Sequence, residues 1–177
     1  MTKTKVWPIA VIAASLTVLG GKAISAQDKY TVRTPNGLGF SDFKGYEDWR
    51  TVSVSQTGDT IEVILGNPAM IDAYRAGITG ENKPFPDGAK MAKIHWKAKQ
   101  SAEAPAPTTV PDTLQDIDFM AKDSIRYADT AGWGYAQFNY DAAADRFTPL
   151  GTGAACGYAC HTIVSSKDSV FTAYGRR

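Results

Sequence analysis

The sequence predicts a β-rich α+β domain, a mostly antiparallel sheet with a few flanking helices. Three observations carry this: short stretches alternate between apolar and polar residues, glycine and proline turn clusters separate them, and one segment has a complete set of helix start and stop signals. Thr51 to Gln56 alternates and is β-branched, Gly58-Asp59 is a turn, and Thr60 to Leu65 is a second β-rich run, so the first element is a hairpin. Asn67 then offers an N-cap and Pro68 the favoured first helical residue, for a helix over Ala69 to Ala76 that Gly77 ends. The Glu81 to Gly88 cluster breaks the chain again. From Ala89 to Gln100, Met91, Lys93, His95 and Lys97 share one strand face, while Ala92, Ile94, Trp96 and Ala98 share the other, which is the expected buried face.

Ser101 to Pro111 holds three prolines and reads as a surface loop. Leu114 to Ala121 alternates once more, with Ile117, Phe119 and Ala121 on one face and Asp116, Asp118 and Met120 on the other. A turn or helical piece around Asp123 to Thr130 leads to an aromatic strand from Trp133 to Tyr140. No internal repeat or internal domain boundary is visible.

Composition narrows the function. The 177 residues carry 19 Lys+Arg against 18 Asp+Glu, which gives no field strong enough to select nucleic acid, and two cysteines exclude a disulfide-stapled scaffold. The charge is uneven along the chain. Residues 1–26 contain Lys3, Lys5 and Lys22 and no acid, with an apolar run from Val6 to Leu19 and small residues before Gln27. This reads as a signal peptide cleaved after Ala26, with Ser25 the other candidate and an uncleaved anchor the bland alternative. The apolar run is shorter than the roughly 20 residues of a spanning helix. The expected mature unit is a single domain over 27–177, periplasmic or secreted, with no membrane attachment once the signal is removed.

Both cysteines and one of the two histidines fall within Cys156-Gly157-Tyr158-Ala159-Cys160-His161. Cys-x-x-Cys-His is the attachment signal of c-type haem, in which two thioethers tether the porphyrin and the histidine becomes an axial iron ligand. Here one more residue separates the thiols, while the Cys-His step is intact. A small disulfide between Cys156 and Cys160 is the competing reading of the spacing, and zinc is remote with three candidate ligands. Export favours the haem, because c-type haem is attached outside the bacterial cytoplasm.

Around that cluster the chain resembles the cytochrome P-460 family of exported bacterial mono-haem proteins, related to cytochrome c-prime-beta. The resemblance runs through Gly45-Tyr46-Glu47-Asp48-Trp49-Arg50, Phe85-Pro86-Asp87-Gly88, Lys122-Asp123-Ser124-Ile125-Arg126-Tyr127, Gly132-Trp133 and Val170-Phe171-Thr172, in that order. It implies a domain with covalently bound haem c, Cys156 and Cys160 as the tethers, and His161 as the iron ligand. It further implies a second covalent link from Lys93 to the porphyrin, although strand sequence alone would leave Lys93 on a solvated basic face. Asp118 falls where enzymatic members carry a distal glutamate, and it is the candidate catalytic proton acceptor; the bland alternative is a solvent-facing acid like Asp112 and Asp116. His95 is read as a sheet-face or pocket-rim residue, and Trp49, Trp96 and Trp133 as core or haem-packing aromatics.

Three functions follow as expectations. The first is an oxidoreductase that converts hydroxylamine to nitrous oxide or nitric oxide at a five-coordinate iron and passes electrons to an external acceptor such as a small cytochrome. The second is a non-catalytic binder of nitric oxide or carbon monoxide, which Phe119 or Met120 covering the open iron position would support. The third is plain electron transfer, with Met91, Met120 or His95 as a second ligand. A homodimer is implied by the resemblance alone.

Overall fold

The computed structural model describes residues 27–35, 38–150 and 153–176, with side chains from residue 157 onward in the last segment. The expected signal peptide lies outside the described residues. Six strands form one antiparallel sheet in chain order: β1 (Arg50–Thr57), β2 (Thr60–Gly66), β3 (Lys90–Gln100), β4 (Thr109–Lys122), β5 (Trp133–Asp141) and β6 (Arg146–Pro149). Every strand pairs with its sequence neighbour, as short turns between antiparallel strands require. Helix α1 (Pro68–Arg75) fills the connection from β2 to β3, and α2 (Gly153–His161) follows β6. No helix among the described residues is long and apolar enough to cross a membrane.

The elements form where the sequence chemistry places them. Asn67 caps α1 by accepting the Met70 amide through its side chain, and Pro68 occupies the first turn. The alternation in β3 and β4 sends Ala92, Ile94, Ile117 and Phe119 into a core completed by Leu38, Phe40, Phe43 and Tyr46 from the segment before β1. Phe43 stacks on Phe119 with ring centroids 4.1 Å apart, and Phe40 meets Phe119 edge-on at 5.3 Å. The other sheet face is also covered, by Met70, Ile71, Phe85, Met91, Trp133, Tyr135 and Val170. Trp133 is fully buried in this second cluster, while Trp49 and Trp96 pack against the first.

Two boundaries differ from expectation. Strand β4 begins at Thr109, so Pro111 lies inside it rather than in the preceding loop. Pro111 stands opposite Ala98 where the β3–β4 register is irregular, and such a site tolerates a residue with no amide proton. Strand β6 carries no alternation long enough to announce itself, and it pairs with β5 through Phe147 opposite Tyr140.

Phe119 ties both core strands to the N-terminal segment. Phe119→Ala is expected to cost about 3–5 kcal/mol of unfolding free energy, measured by chemical denaturation, because the stacked ring leaves a cavity that the sheet cannot collapse to fill.

Candidate functional site

Helix α2 rests on β5 through a glycine. A Cβ added at Gly157 would lie 2.7 Å from Tyr135 Cβ, so no larger residue lets the helix sit this close. His161 is one turn further along. Its ring packs 5.0 Å from Tyr135 and edge-on to Phe171 at 4.9 Å. Nδ1 of His161 lies 2.6 Å from the Ser169 carbonyl oxygen. A carbonyl only accepts, so Nδ1 carries the proton and Nε2 keeps its lone pair, the arrangement of a metal-ligating imidazole. Burial lowers the His161 pKa, and the Lys93 charge adds to this. The Ser169 bond opposes both without reversing the net downward shift.

The Ser169 carbonyl is held by an unusual turn. Asp168 and Ser169 both adopt left-handed backbone, at φ 51° and 62°, a conformation that costs non-glycine residues of order 1–3 kcal/mol each unless the surroundings enforce it. The enforcing contacts are present. Asp168 accepts the Lys122 ammonium at 2.7 Å and the Phe85 amide at 2.8 Å, and Lys122 also donates to Ala131 O at 3.1 Å. Lys122 is 6% and Asp168 11% exposed, and the ammonium lies 5.0 Å from the centre of the Trp133 ring.

The facing wall comes from the sheet. Cross-strand register sets Lys93 beside Ile64 and Asp118, and His95 beside Glu62 and Asp116. Lys93 pairs with Glu62 at 3.0 Å, and His95 Nδ1 lies 2.5 Å from Asp116 and 4.0 Å from Asp118. Asp118 lines the cavity, and its Oδ1 is buried with no hydrogen-bond partner. Burial drives the Asp118 carboxyl up to about 6, the His95 and Lys93 charges only partly opposing it. For His95, burial acts downward but the Asp116 carboxylate outweighs it, and the imidazole is raised. Burial likewise acts upward on Glu62, yet its bonds to Lys93 and Ser55 hold it below its usual range. Donor atoms of His95, Asp116 and Asp118 lie within 4.8 Å of one another, close enough for a cation, but the Lys93 ammonium beside Asp118 disfavours one.

Between helix and sheet lies a cavity of about 600 Å³ whose walls include Met91, Lys93, Asp118, Met120, Cys160 and His161. The family described as Cytochrome P460 matches residues 43–172. The chain belongs to the cytochrome P460 family. The family includes haem oxidoreductases, and membership implies a c-type haem. No curated protein matches the chain.

The residues fit that group. His161 turns a free Nε2 lone pair away from its backbone bond, and Cys160, a free and exposed thiol, precedes it on the same cavity wall. Position 156 is one helical turn before Cys160 in α2, although its side chain lies outside the described residues. Lys93 and Asp118, named from the resemblance, both line the cavity of this cytochrome P460 protein, as do Met91 and Met120. His95 is not among the lining residues and is engaged by Asp116. Phe119 reaches the cavity wall, but its ring packs into the core on the opposite sheet face and so does not cover an iron ligand site. The Lys122–Asp168 pair escaped sequence reasoning because 46 positions separate the partners, and the motif that contains Lys122 does not reach Asp168.

Two outcomes follow. Lys122→Ala is expected to lower stability by about 3–5 kcal/mol in denaturant unfolding, since it leaves Asp168 charged and unpaired in a buried turn. Asp118→Asn acts differently with pH. The Asp118 carboxyl is raised above its unfolded value of about 3.9, so the stability it contributes is present below that value and lost as pH rises through about 6. Thermal unfolding is therefore expected to show the Asn variant more stable than wild type at pH 8, with the advantage vanishing near pH 4.

Proposed function

We propose that the protein is a periplasmic c-type haem oxidoreductase that oxidises hydroxylamine to nitrous oxide or nitric oxide, with Asp118 as the proton acceptor. The observation that carries this reading is a carboxylate, Asp118, that lines the same cavity as His161 and keeps one oxygen without a hydrogen-bond partner. His161 Nε2 would hold the iron, and Cys156 and Cys160 would tether the porphyrin edge. When bound, the haem supplies an open iron position and accepts electrons from the substrate for delivery to an external acceptor such as a small cytochrome.

The chain's own residues supply proton handling and orientation. Every electron removed from hydroxylamine leaves a proton behind, and a carboxyl poised near neutral pH by burial can take it. Tyr135 and Phe171 pack the His161 ring on two sides and fix its plane. Lys93 is the residue for a second covalent link to the porphyrin. Glu62, 3.0 Å from its nitrogen, would hold the Lys93 side chain on the cavity wall.

The second reading, a binder of nitric oxide or carbon monoxide without turnover, draws on Met91, Met120 and Ile64 in the cavity wall, which give the pocket an apolar share. One preparation separates the readings. Coexpression with haem-maturation machinery should yield an intact mass equal to the mature chain plus one haem, and a ferrous spectrum displaced from an ordinary c-type one if Lys93 is linked. Hydroxylamine oxidation with a soluble electron acceptor should then fall by about 100-fold or more in Asp118→Ala, the range for losing a positioned proton acceptor. A wild type that binds nitric oxide but never turns over hydroxylamine would leave the gas-binding reading.

A further inference from the structure

Hydroxylamine oxidation releases one proton with each electron, so a single proton acceptor must unload between transfers. We propose that His95 and Asp116 form the proton exit for Asp118, passing each proton along the sheet face to solvent beside β4. The proposal rests on the reading of Asp118 as proton acceptor and extends it to two residues that the cavity itself does not include.

The geometry is a chain of three groups. Asp118 Oδ2 lies 4.0 Å from His95 Nδ1, and the same nitrogen lies 2.5 Å from Asp116 Oδ1. The short contact puts a proton between imidazole and Asp116. When that proton shifts to Asp116 Oδ1 and leaves for solvent, Nδ1 is bare and takes the proton held on Asp118. One proton enters the chain and one leaves. The 4.0 Å gap is longer than a hydrogen bond and is the span that one bridging water or a small carboxylate rotation closes. An ordinary structural His–Asp pair needs one carboxylate; the second, with one oxygen buried and unpartnered, is what a relay requires and a structural pair does not.

Neighbouring charges leave the proton mobile. Glu62 on β2 faces His95, and Lys93 on β3 faces Asp118, but these two satisfy one another at 3.0 Å. On β5, the register partners of Asp116 and Asp118 are the neutral Asn139 and Gln137. On β1, Ser55 bonds to Glu62. Burial lifts Asp118 to about 6, and the Asp116 carboxylate outweighs burial at His95 and raises the imidazole, so each group holds a proton more readily than its free counterpart.

The test uses the haem-loaded protein. In His95→Gln, kcat for hydroxylamine is expected to fall at least tenfold with KM unchanged, and added imidazole is expected to restore it. Asp116→Asn should show a smaller loss with the same rescue, and it serves if the His95 variant does not fold. Independently of turnover, the infrared carbonyl band of protonated Asp118, assigned by its disappearance in Asp118→Asn, should titrate at higher pH in His95→Gln, because a cationic neighbour has gone. Wild-type kcat in both variants, or a loss that imidazole leaves untouched, would overturn the relay while leaving Asp118 as acceptor. An unmoved infrared midpoint would overturn it as well. If Asp118→Ala retains full turnover, the fault lies instead in the reading on which the relay rests.

Discussion

A carbonyl oxygen has no proton to give, and from this the organisation of the cavity follows. Its 2.6 Å contact with the Ser169 carbonyl commits His161 Nδ1 to donating, so that Nε2 is the only ring nitrogen able to bind a metal. The carbonyl has to be fixed for that commitment to hold. Two successive left-handed residues point it, and the buried Lys122–Asp168 pair holds those residues against their intrinsic preference. The same pair gathers the end of β4, the Phe85 amide and the Ala131 carbonyl, so one strand end and two loops are tied to the turn that orients the imidazole. A buried ion pair contributes little net stability against an apolar alternative, but it specifies one arrangement, and here the arrangement is that of the presumptive iron ligand.

The two sheet faces divide the labour. The face toward the N-terminal segment is aromatic and dry, with Phe40, Phe43 and Phe119 interlocked. The opposite face carries a polar stripe through β2, β3 and β4 flanked by Met91 and Met120. Five titratable groups side by side on a half-buried surface are costly unless they neutralise one another. Glu62 with Lys93, and Asp116 with His95, do so. Asp118 is the remainder, and desolvation raises its pKa against the partial opposition of His95 and Lys93.

Much of this was legible in the sequence because alternation is a local signal. The strand faces of 89–100 and 114–121 place Lys93 with His95 and Asp118 with Met120 correctly, and the Asn67-Pro68 start of α1 is written in two residues. The resemblance supplied what alternation could not, namely that the basic face of β3 lines a cavity. What stayed hidden depends on long-range pairing. Asp168 looks like any loop acid until its contacts with Lys122 and Phe85 are seen, and the cavity that Asp118 lines is closed by residues more than thirty positions further along, such as His161 and Val170. The core orientation of Phe119 was readable from its face-mates Ile117 and Ala121. That orientation alone removes Phe119 as a cover for the iron.

The unusual thiol spacing becomes intelligible once the segment is a helix. At about 100° per residue, four steps return to within about 40° of the starting direction and rise about 6 Å, so positions 156 and 160 stand on one face of α2, one turn apart. The same step relates Gly157 to His161, on the neighbouring face. That second face is the one that meets Tyr135, through the missing Cβ at 157 and the ring contact at 161. An added residue between the cysteines therefore need not bulge. It keeps positions 156 and 160 in register with each other and the histidine in register with the glycine that lets the helix approach, so the proposed tethers and the proposed ligand fall on two faces of a single helix.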